Sequence, residues 1–319
     1  MKKRLLYIFV IVVGLVLLVV AGGSFYLIDY ALDNGSRTRN EPNRFAYIVK
    51  KYPELRPWID SLETEKSLRD TFIVMPDGEH QHAIFVRSRR ALGRTAVVVH
   101  GYKDRAANML HIARIYNKML GYNVLLPDLH GHGQSDGDDV QMGWKDRLDV
   151  LHWIQVSEKM FRHVSEDSSR VVVHGISMGA ATTMCVAGEP TPAYVKCFVE
   201  DCGYTSAWDE FVHELKNRFG LPPFPLLYTS SALCKLRYGW SFGEASPLRQ
   251  VAKCRKPMLF IHGGNDVFVP TSMVYPLYKA KPEPKELWIA PGSAHALSYH
   301  DHKAEYVRRV ASFVSPLFK

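Results

Sequence analysis

The chain has 319 residues, of which 47% are hydrophobic and 23% are charged, and its formal net charge is +8. Such a chain can bury a substantial core, and one α/β domain of about 250 residues behind an N-terminal segment accounts for its length, so no second domain of similar size is expected. No Lys/Arg run with interleaved aromatic residues occurs, and we therefore expect a solvated basic face and no nucleic-acid partner.

The N-terminus combines a basic cluster with a long uncharged run. Residues 2–4 are Lys-Lys-Arg, and the next twenty-four residues, 5–28, carry no charge. As a helix this run would measure about 36 Å, against a hydrocarbon core of ~30 Å. Because basic flanks stay cytoplasmic, residues 1–28 predict a single-pass anchor in the cell membrane with the rest of the chain extracytoplasmic. The alternative is a signal peptide cut near the small residues 21–23, followed by secretion.

The rest of the chain divides into a connector and one domain. Residues 29–66 form a polar and aromatic connector, predicted to contain short helices, with prolines at Pro42, Pro53 and Pro57. Residues 67–319 open with two β-like runs around Asp77-Gly78, which predicts a hairpin. From residue 95 onward β-like runs alternate with helical runs, the first of which is predicted over residues 105–120. This pattern predicts a mostly parallel, doubly wound sheet with helices on both faces.

An insertion at about residues 206–251 interrupts that alternation. It is rich in aromatic residues and broken by prolines, which predicts a small helical lid. Most of its aromatic side chains are expected to pack the lid against the body, and only a minority to line a substrate pocket.

Ser177 lies at a predicted turn from a buried strand into a helix, within the sequence Gly-Ile-Ser-Met-Gly. The flanking Gly175 and Gly179 allow the close backbone approach that such a sharp turn needs. A serine hydroxyl is a poor nucleophile at neutral pH, so it needs an imidazole to accept its proton and a carboxylate to orient that imidazole. Asp266 and His295 each follow a later β-like run and supply these two groups.

The chain order Ser, Asp, His, with these motifs, resembles that of the α/β-hydrolase superfamily over roughly residues 67–319. The signature and the small lid are similar to those of membrane-anchored bacterial esterases and of the serine aminopeptidase-like, lysophospholipase-like branch. The resemblance implies that Ser177 is the nucleophile, Asp266 the orienting acid and His295 the general base. Asp201 also follows a β-like run and is the competing acid, but Asp266 has the Asp-x-x-Val-Pro context that relatives show.

The resemblance also implies an oxyanion hole, because a tetrahedral intermediate needs fixed N–H donors where its charge develops. One donor is the amide after the nucleophile, which is that of Met178. The His-Gly-aromatic pattern at residues 100–102 gives Tyr102 as the second, with Lys103 as the alternative. The Tyr102 phenol is expected either to bind substrate or to pack its own loop.

A glycine-rich loop at residues 127–137 resembles the Asp-x-Arg-Gly-His-Gly-x-Ser loop of many such hydrolases, with His130 in place of the arginine. In the family this loop is mostly architectural. We therefore do not expect His130 and His132 to bind a metal, and neither a metal nor an organic cofactor is predicted.

Five cysteines, an odd number without Cys-x-x-Cys spacing, argue against a structural zinc site. If the domain is exported, one pair could form a disulfide, with Cys202, Cys234 and Cys254 the better candidates and the pairing open. Cys185 and Cys197 are expected to be small buried apolar residues.

The function expected from these features is hydrolysis of carboxylic esters through an acyl-enzyme, on a small to medium, partly apolar substrate. A serine exopeptidase or amidase on the same fold is the alternative, although no acidic pair that would bind a substrate amine stands out. A non-catalytic binding protein is a third possibility. Because one fold hosts many functions, the sequence leaves the choice of ester or amide open, as it does the oligomeric state.

Overall fold

The computed structural model describes residues 2–35 and 43–319. Its strands are β1 (Leu68–Val74), β2 (His80–Val86), β3 (Arg94–Val99), β4 (Asn123–Pro127), β5 (Arg170–Ile176), β6 (Val195–Asp201), β7 (Met258–Gly263) and β8 (Lys285–Ala290). Its α-helices are α1 (Lys2–Leu32), α2 (Ala46–Lys51), α3 (Arg56–Thr64), α4 (Leu110–Arg114), α5 (Asp146–Phe161), α6 (Met178–Ala187), α7 (Ala207–Phe219), α8 (Leu226–Tyr238), α9 (Pro247–Val251), α10 (Val274–Ala280), α11 (Ser298–Asp301) and α12 (Lys303–Val314). Part of the predicted connector, with Pro42, lies outside the described residues.

The strands form one sheet in the order β1-β2-β4-β3-β5-β6-β7-β8. β2 is antiparallel to both of its neighbours, and every other neighbouring pair is parallel. β1 and β2 form the predicted hairpin around Asp77-Gly78. The predicted mostly parallel α/β-hydrolase sheet is therefore confirmed.

A separate hydrophobic core covers each face of the sheet. Val97 and Val99 of β3 join the core that contains Trp153 of α5, whereas Val98 joins the core that contains Tyr306 of α12. Successive strand residues point to opposite faces, so a strand buried on both sides needs apolar residues at every position. This explains why residues 96–99 of β3 are all apolar instead of alternating with polar residues.

The segment predicted as one helix over residues 105–120 is divided into three short pieces. A 3₁₀ turn, Ala106–Met109, precedes α4, and a π-helical turn, Ile115–Met119, follows it. The Asn117 side chain bridges this turn to its surroundings, since its amide donates to the Tyr122 carbonyl and its oxygen accepts from the Trp58 indole N–H. A polar side chain that bonds to nearby backbone competes with regular helix, which gives the physical reason for the difference.

Helix α1 has an exposed apolar part and a part that packs on the domain. It is long and apolar enough to cross a membrane. Its most apolar stretch has a mean hydropathy of 3.1, and none of the residues in that stretch is buried. Near its C-terminal end Ser24, Ile28 and Leu32 are buried. α1 therefore continues past the predicted limit at residue 28, and its last turns belong to the folded body.

The insertion between β6 and β7 contains the lid helices α7, α8 and α9. α8 lies against α1, where the Ser24 hydroxyl is hydrogen-bonded to the Thr229 hydroxyl and Arg237 pairs with Asp29 at 2.7 Å. The lid therefore packs against the C-terminal part of α1.

All five cysteines are free and buried, so the possible disulfide considered above is not formed. Cys202, Cys234 and Cys254 lie on separate segments, after β6, within α8 and after α9. Cys185 and Cys197 are 0% exposed, as predicted. Burial raises the pKa of Cys185 to about 12, and the thiols act as small apolar groups.

Candidate active site

Ser177 occupies a strained turn between β5 and α6, with φ 58° and ψ −119°. A Cβ at Gly175 would collide with the Gly179 carbonyl, and a Cβ at Gly179 would collide with the Val99 carbonyl. Both glycines are therefore required by close backbone approach, as the motif predicted. Strain of this kind is held only where the surrounding structure fixes it, and it presents the serine at the end of the strand.

The structure brings Ser177, His295 and Asp266 together in one hydrogen-bonded chain. The distance from Ser177 Oγ to His295 Nε2 is 2.8 Å, and that from His295 Nδ1 to Asp266 Oδ2 is 2.7 Å. Because an ionised carboxylate only accepts, Nδ1 must carry the proton and Nε2 accepts from the serine hydroxyl. This tautomer is the one that can remove the serine proton.

Asp266 is held as a buried carboxylate. Its Oδ1 accepts from the backbone amides of Phe268 and Val269, both at 3.0 Å, and His262 Nε2 lies 3.4 Å from Oδ2. Burial alone would raise the pKa of Asp266, but hydrogen bonds to His262 and His295 outweigh burial and lower it. The carboxylate is therefore ionised at neutral pH and can orient the imidazole.

Asp201, the competing acid, has other partners. Its carboxylate accepts from the Tyr306 hydroxyl at 3.0 Å and from the Ser298 hydroxyl at 3.4 Å, and burial raises its pKa to about 6. Its backbone carbonyl accepts from Ser177 N–H at 2.8 Å. Asp201 thus supports the turn that carries Ser177, while Asp266 contacts the imidazole.

The two predicted oxyanion donors lie beside Ser177. Met178 is the first residue of α6, where backbone N–H groups have no intrahelical acceptor and the helix dipole favours negative charge. The residue before Tyr102, Gly101, lies close to the nucleophile, since a Cβ added at Gly101 would be only 3.5 Å from Ser177 Cβ. The Lys103 amide already donates to His132 Nε2 at 3.2 Å, which favours Tyr102 over Lys103 as the second donor.

A cavity of about 330 Å³ opens onto Ser177 and is lined mainly by apolar side chains. Phe211, Phe219 and Phe242 of the lid insertion reach it, a minority of the lid aromatics, as expected. Leu27, Tyr30 and Ala31 of α1 also line the cavity, although the sequence predicted only a membrane anchor for this helix. The Tyr102 phenol donates to the Ala31 carbonyl at 2.6 Å, and so it fixes its own loop to α1.

Glu210 and Glu214, which were not predicted as site residues, line the same cavity. Glu210 is 4% exposed, and within residues 2–35 and 43–319 neither of its carboxyl oxygens has a hydrogen-bond partner. Burial raises the pKa of Glu210 to about 9, so this side chain is neutral at pH 7. Glu214 is paired with Arg218. Glu210, Glu214 and Arg218 follow one another at i, i+4 spacing on α7, which places all three on one helix face. This spacing was the sequence signal that could have identified the two glutamates.

The histidines of the glycine-rich loop region are held by carboxylates. His130 lies between Glu79 at 2.7 Å and Asp139 at 3.0 Å. His82 lies between Asp128 at 2.7 Å and Asp70 at 2.9 Å. Both ring nitrogens of each histidine are therefore used in hydrogen bonds that fix the loop, in agreement with an architectural role.

Three side chains at the Ser177 site have atoms that could in principle bind a metal ion. Cys202, Asp266 and His295 have donor atoms within 4.8 Å of one another. Hydrogen bonds to Asp266 and Ser177 already occupy both nitrogens of His295. The hydrogen-bonded chain explains this grouping.

We expect His82 to make stability depend on pH. Burial opposes its charge, but hydrogen bonds to Asp128 and Asp70 raise the pKa of His82 from 6.5 to about 9. The imidazolium thus stabilises the fold fully below pH 6.5, and this contribution is lost as the pH rises to 9. Urea unfolding of wild type and His82→Gln should show a difference on the order of 2 kcal/mol at pH 6 that shrinks by pH 9.5. A difference independent of pH would contradict this assignment.

The sheet order, the serine turn and the hydrogen-bonded site together define a serine hydrolase of the α/β-hydrolase superfamily. The sequence model of the prolyl oligopeptidase family matches residues 113–319. The chain belongs to this family.

The chain is also similar to individual proteins. The chain is 31% identical over 220 residues to the uncharacterized protein YqkD of Bacillus subtilis (strain 168), covering 69% of this chain and 70% of that one. Its fold is similar to that of the Pyrococcus furiosus esterase Pf2001, with a TM-score of 0.62, 21% identity, and 79% of this chain and 93% of that chain covered. A Mycobacterium tuberculosis puromycin-hydrolyzing peptidase gives a TM-score of 0.62 at 19% identity, over 79% of this chain and 39% of that one. These two structural likenesses show a shared fold.

Proposed function

We propose that the protein is a membrane-anchored carboxylesterase that works through an acyl-enzyme. The observation that carries the proposal is the relay from Ser177 through His295 to Asp266, with distances of 2.8 and 2.7 Å, at the end of a largely apolar cavity. An apolar cavity with few polar groups fits a small to medium, partly apolar ester.

The proposed reaction follows from this geometry. Ser177 Oγ attacks the ester carbonyl while His295 Nε2 takes its proton, and Asp266 stabilises the resulting imidazolium. The amides of Tyr102 and Met178 donate to the oxyanion. His295 then returns the proton to the departing alcohol. Water, activated by the same imidazole, attacks the acyl-enzyme and releases the acid, so the cycle needs no metal or organic cofactor.

An exopeptidase or amidase is the second candidate, and the membership of the prolyl oligopeptidase family favours it. An exopeptidase that removes N-terminal residues needs a carboxylate to bind the α-ammonium group of its substrate. Glu210 and Glu214 line the cavity, but burial raises the pKa of Glu210 to about 9 and Glu214 is paired with Arg218. Glu210 is therefore neutral, and the charge of Glu214 is balanced by that of Arg218, so both bind an ammonium group weakly. This supports an ester substrate without an α-amine. A non-catalytic role is the least supported, since all three relay groups are present.

The matched pair of hexanoyl and norleucyl nitrophenyl esters separates the two enzymes, because these acyl groups differ only by the α-amine. We expect kcat/KM for the hexanoyl ester to exceed that for the norleucyl ester at least tenfold at pH 7, after subtraction of spontaneous hydrolysis. The matching anilides serve as controls for leaving-group reactivity. A preference for the amine-bearing member of both pairs would instead support an exopeptidase.

We also propose that α1 stays attached as a single-pass anchor, with residues 29–66 as connector and residues 67–319 as the catalytic domain outside the cytoplasm. The Lys-Lys-Arg cluster supports this orientation. α1 runs unbroken through residues 21–23 and packs on α8, which supports an uncleaved helix over a discarded signal peptide. The intact mass of the protein from membranes should be that of the full chain, and a secreted chain that begins near residue 24 would refute the anchor.

A further inference from the structure

The last turns of α1 are part of the catalytic cavity. Leu27, Tyr30 and Ala31 line the same space as Ser177. The Tyr102 hydroxyl donates to the Ala31 carbonyl, and Lys103 Nζ donates to the Tyr30 carbonyl at 3.5 Å. The loop beside the nucleophile is therefore attached to α1, and the helix and the cavity form one structural unit.

The length of α1 gives the height of this cavity above a membrane. Residues 5–23 rise about 28 Å as a helix, close to the ~30 Å of a hydrocarbon core. Leu27 lies about 6 Å further along the axis than Gly23, and Ala31 about 12 Å further. The cavity wall therefore begins at the level of the lipid headgroups when residues 5–23 span the bilayer.

The lid exposes apolar residues at the same level. α8 starts beside Gly23, where an added Cβ would lie 3.0 Å from Leu226 Cδ2, and it runs alongside α1 towards Asp29. The turn before α8 is thus at the membrane end of the lid. In this turn Phe224 is 72% exposed and Leu221 is 38% exposed. Exposed aromatic and aliphatic groups beside a spanning helix are typical of residues that insert into the interface.

Aromatic rings line the border between α1 and the lid. The Phe219 ring lies 6.4 Å from that of Tyr26 and 5.6 Å from that of Tyr30, between ring centroids, and Phe219 also lines the cavity. Phe219 and Tyr30 are both partly exposed. An apolar surface therefore connects the level of the lipid headgroups to the cavity that contains Ser177.

We propose that the substrate is a single-chain acyl ester dissolved in the membrane, which enters the cavity from the bilayer surface between α1 and the lid. This inference rests on the proposed esterase function and specifies its substrate class. A cavity of about 330 Å³ is at the lower end of small-molecule sites, which suits one acyl chain better than two. The acyl carbon bonds to Ser177 Oγ, the alcohol leaves with the proton from His295, and water then releases the fatty acid.

The test uses the full chain in vesicles of phosphatidylcholine and phosphatidylglycerol, with nitrophenyl laurate in the bilayer and nitrophenyl acetate in solution. Leu27→Trp replaces a leucine of the cavity wall by a bulkier indole side chain. Leu18→Trp makes the same change in the membrane-spanning part of α1, where Leu18 is 70% exposed. We expect Leu27→Trp to lower the laurate-to-acetate ratio of kcat/KM at least tenfold, and Leu18→Trp to leave it unchanged.

A second measurement needs no variant. When plain phospholipid is added at a constant bulk concentration of laurate, the wild-type laurate rate should fall with its mole fraction in the bilayer, while the acetate rate should stay constant. A laurate rate that follows bulk concentration, or an unchanged ratio in folded Leu27→Trp, would overturn membrane entry while leaving the esterase proposal standing. Absence of hydrolysis of both esters by wild type would instead reject the proposed function.

Discussion

Ser177→Ala should lower kcat/KM for a nitrophenyl ester by roughly 10⁴- to 10⁶-fold, because the variant has no group to form the acyl-enzyme. The Ser177 hydroxyl is hydrogen-bonded to His295 at 2.8 Å, and alanine keeps the Cβ that the turn already accommodates. The free energy of unfolding should therefore change by less than about 1 kcal/mol. Steady-state kinetics and urea unfolding on the same preparation measure both quantities.

A matched control for this variant is Ser298→Ala. Ser298 is a buried serine whose hydroxyl donates to Asp201 at 3.4 Å, whereas the two ring nitrogens of His295 are hydrogen-bonded to Asp266 and Ser177. Its removal should leave kcat/KM within about fivefold of wild type. If Ser177→Ala retained ester hydrolysis near the wild-type rate, the nucleophile would have to be another residue.

Asp266→Asn is expected to have the second-largest effect, a loss of roughly 10²- to 10⁴-fold in kcat with little change in fold. The Asn amide would donate to His295 Nδ1, and this favours the tautomer whose Nε2 already carries a proton and cannot accept one from Ser177. The backbone amides of Phe268 and Val269, which donate to Asp266 Oδ1, can still donate to the Asn carbonyl oxygen. Pre-steady-state acylation rates measure the effect directly.

Asp201→Asn is the control for the choice of acid. It makes the same isosteric change at the buried carboxylate that accepts from Tyr306 and Ser298 rather than from the imidazole. We expect kcat within about fivefold of wild type, after correction for any loss of folded protein. A larger loss in Asp201→Asn than in Asp266→Asn would reverse the assignment of the orienting acid.

The parts of the site that sequence predicted are those with a strong local requirement. Gly175 and Gly179 mark the serine turn because any Cβ there would meet backbone, and that constraint is visible in five residues of sequence. Asp266 and His295 were predictable for a related reason. Each follows a β-like run, and the loops that follow the strands of a parallel sheet all lie at the carboxyl ends of those strands.

The parts that sequence missed depend on packing between distant segments. Leu27 and Ala31 lie in an apolar run, and an apolar side chain satisfies a membrane core and a cavity wall equally well. Only the position of α8 against α1 decides between them. Glu210 is ordinary by sequence, and its unusual neutral state arises because α7 buries it against the cavity.

The helix predicted over residues 105–120 illustrates a third limit. Its composition is compatible with a continuous helix, but Asn117 bonds instead to Tyr122 and Trp58, and the segment divides into 3₁₀, α and π pieces. Trp58 lies on a distant segment of the fold, so local propensity cannot anticipate its contact with Asn117.

The central claim is that Ser177 is a nucleophile activated by His295 and Asp266. The most direct test is to treat the full chain with a fluorophosphonate and to map the modified peptide by mass spectrometry. We predict one adduct, on Ser177, that forms at least a hundredfold more slowly in Asp266→Asn. An unmodified Ser177, or an adduct on a different residue, would contradict the account.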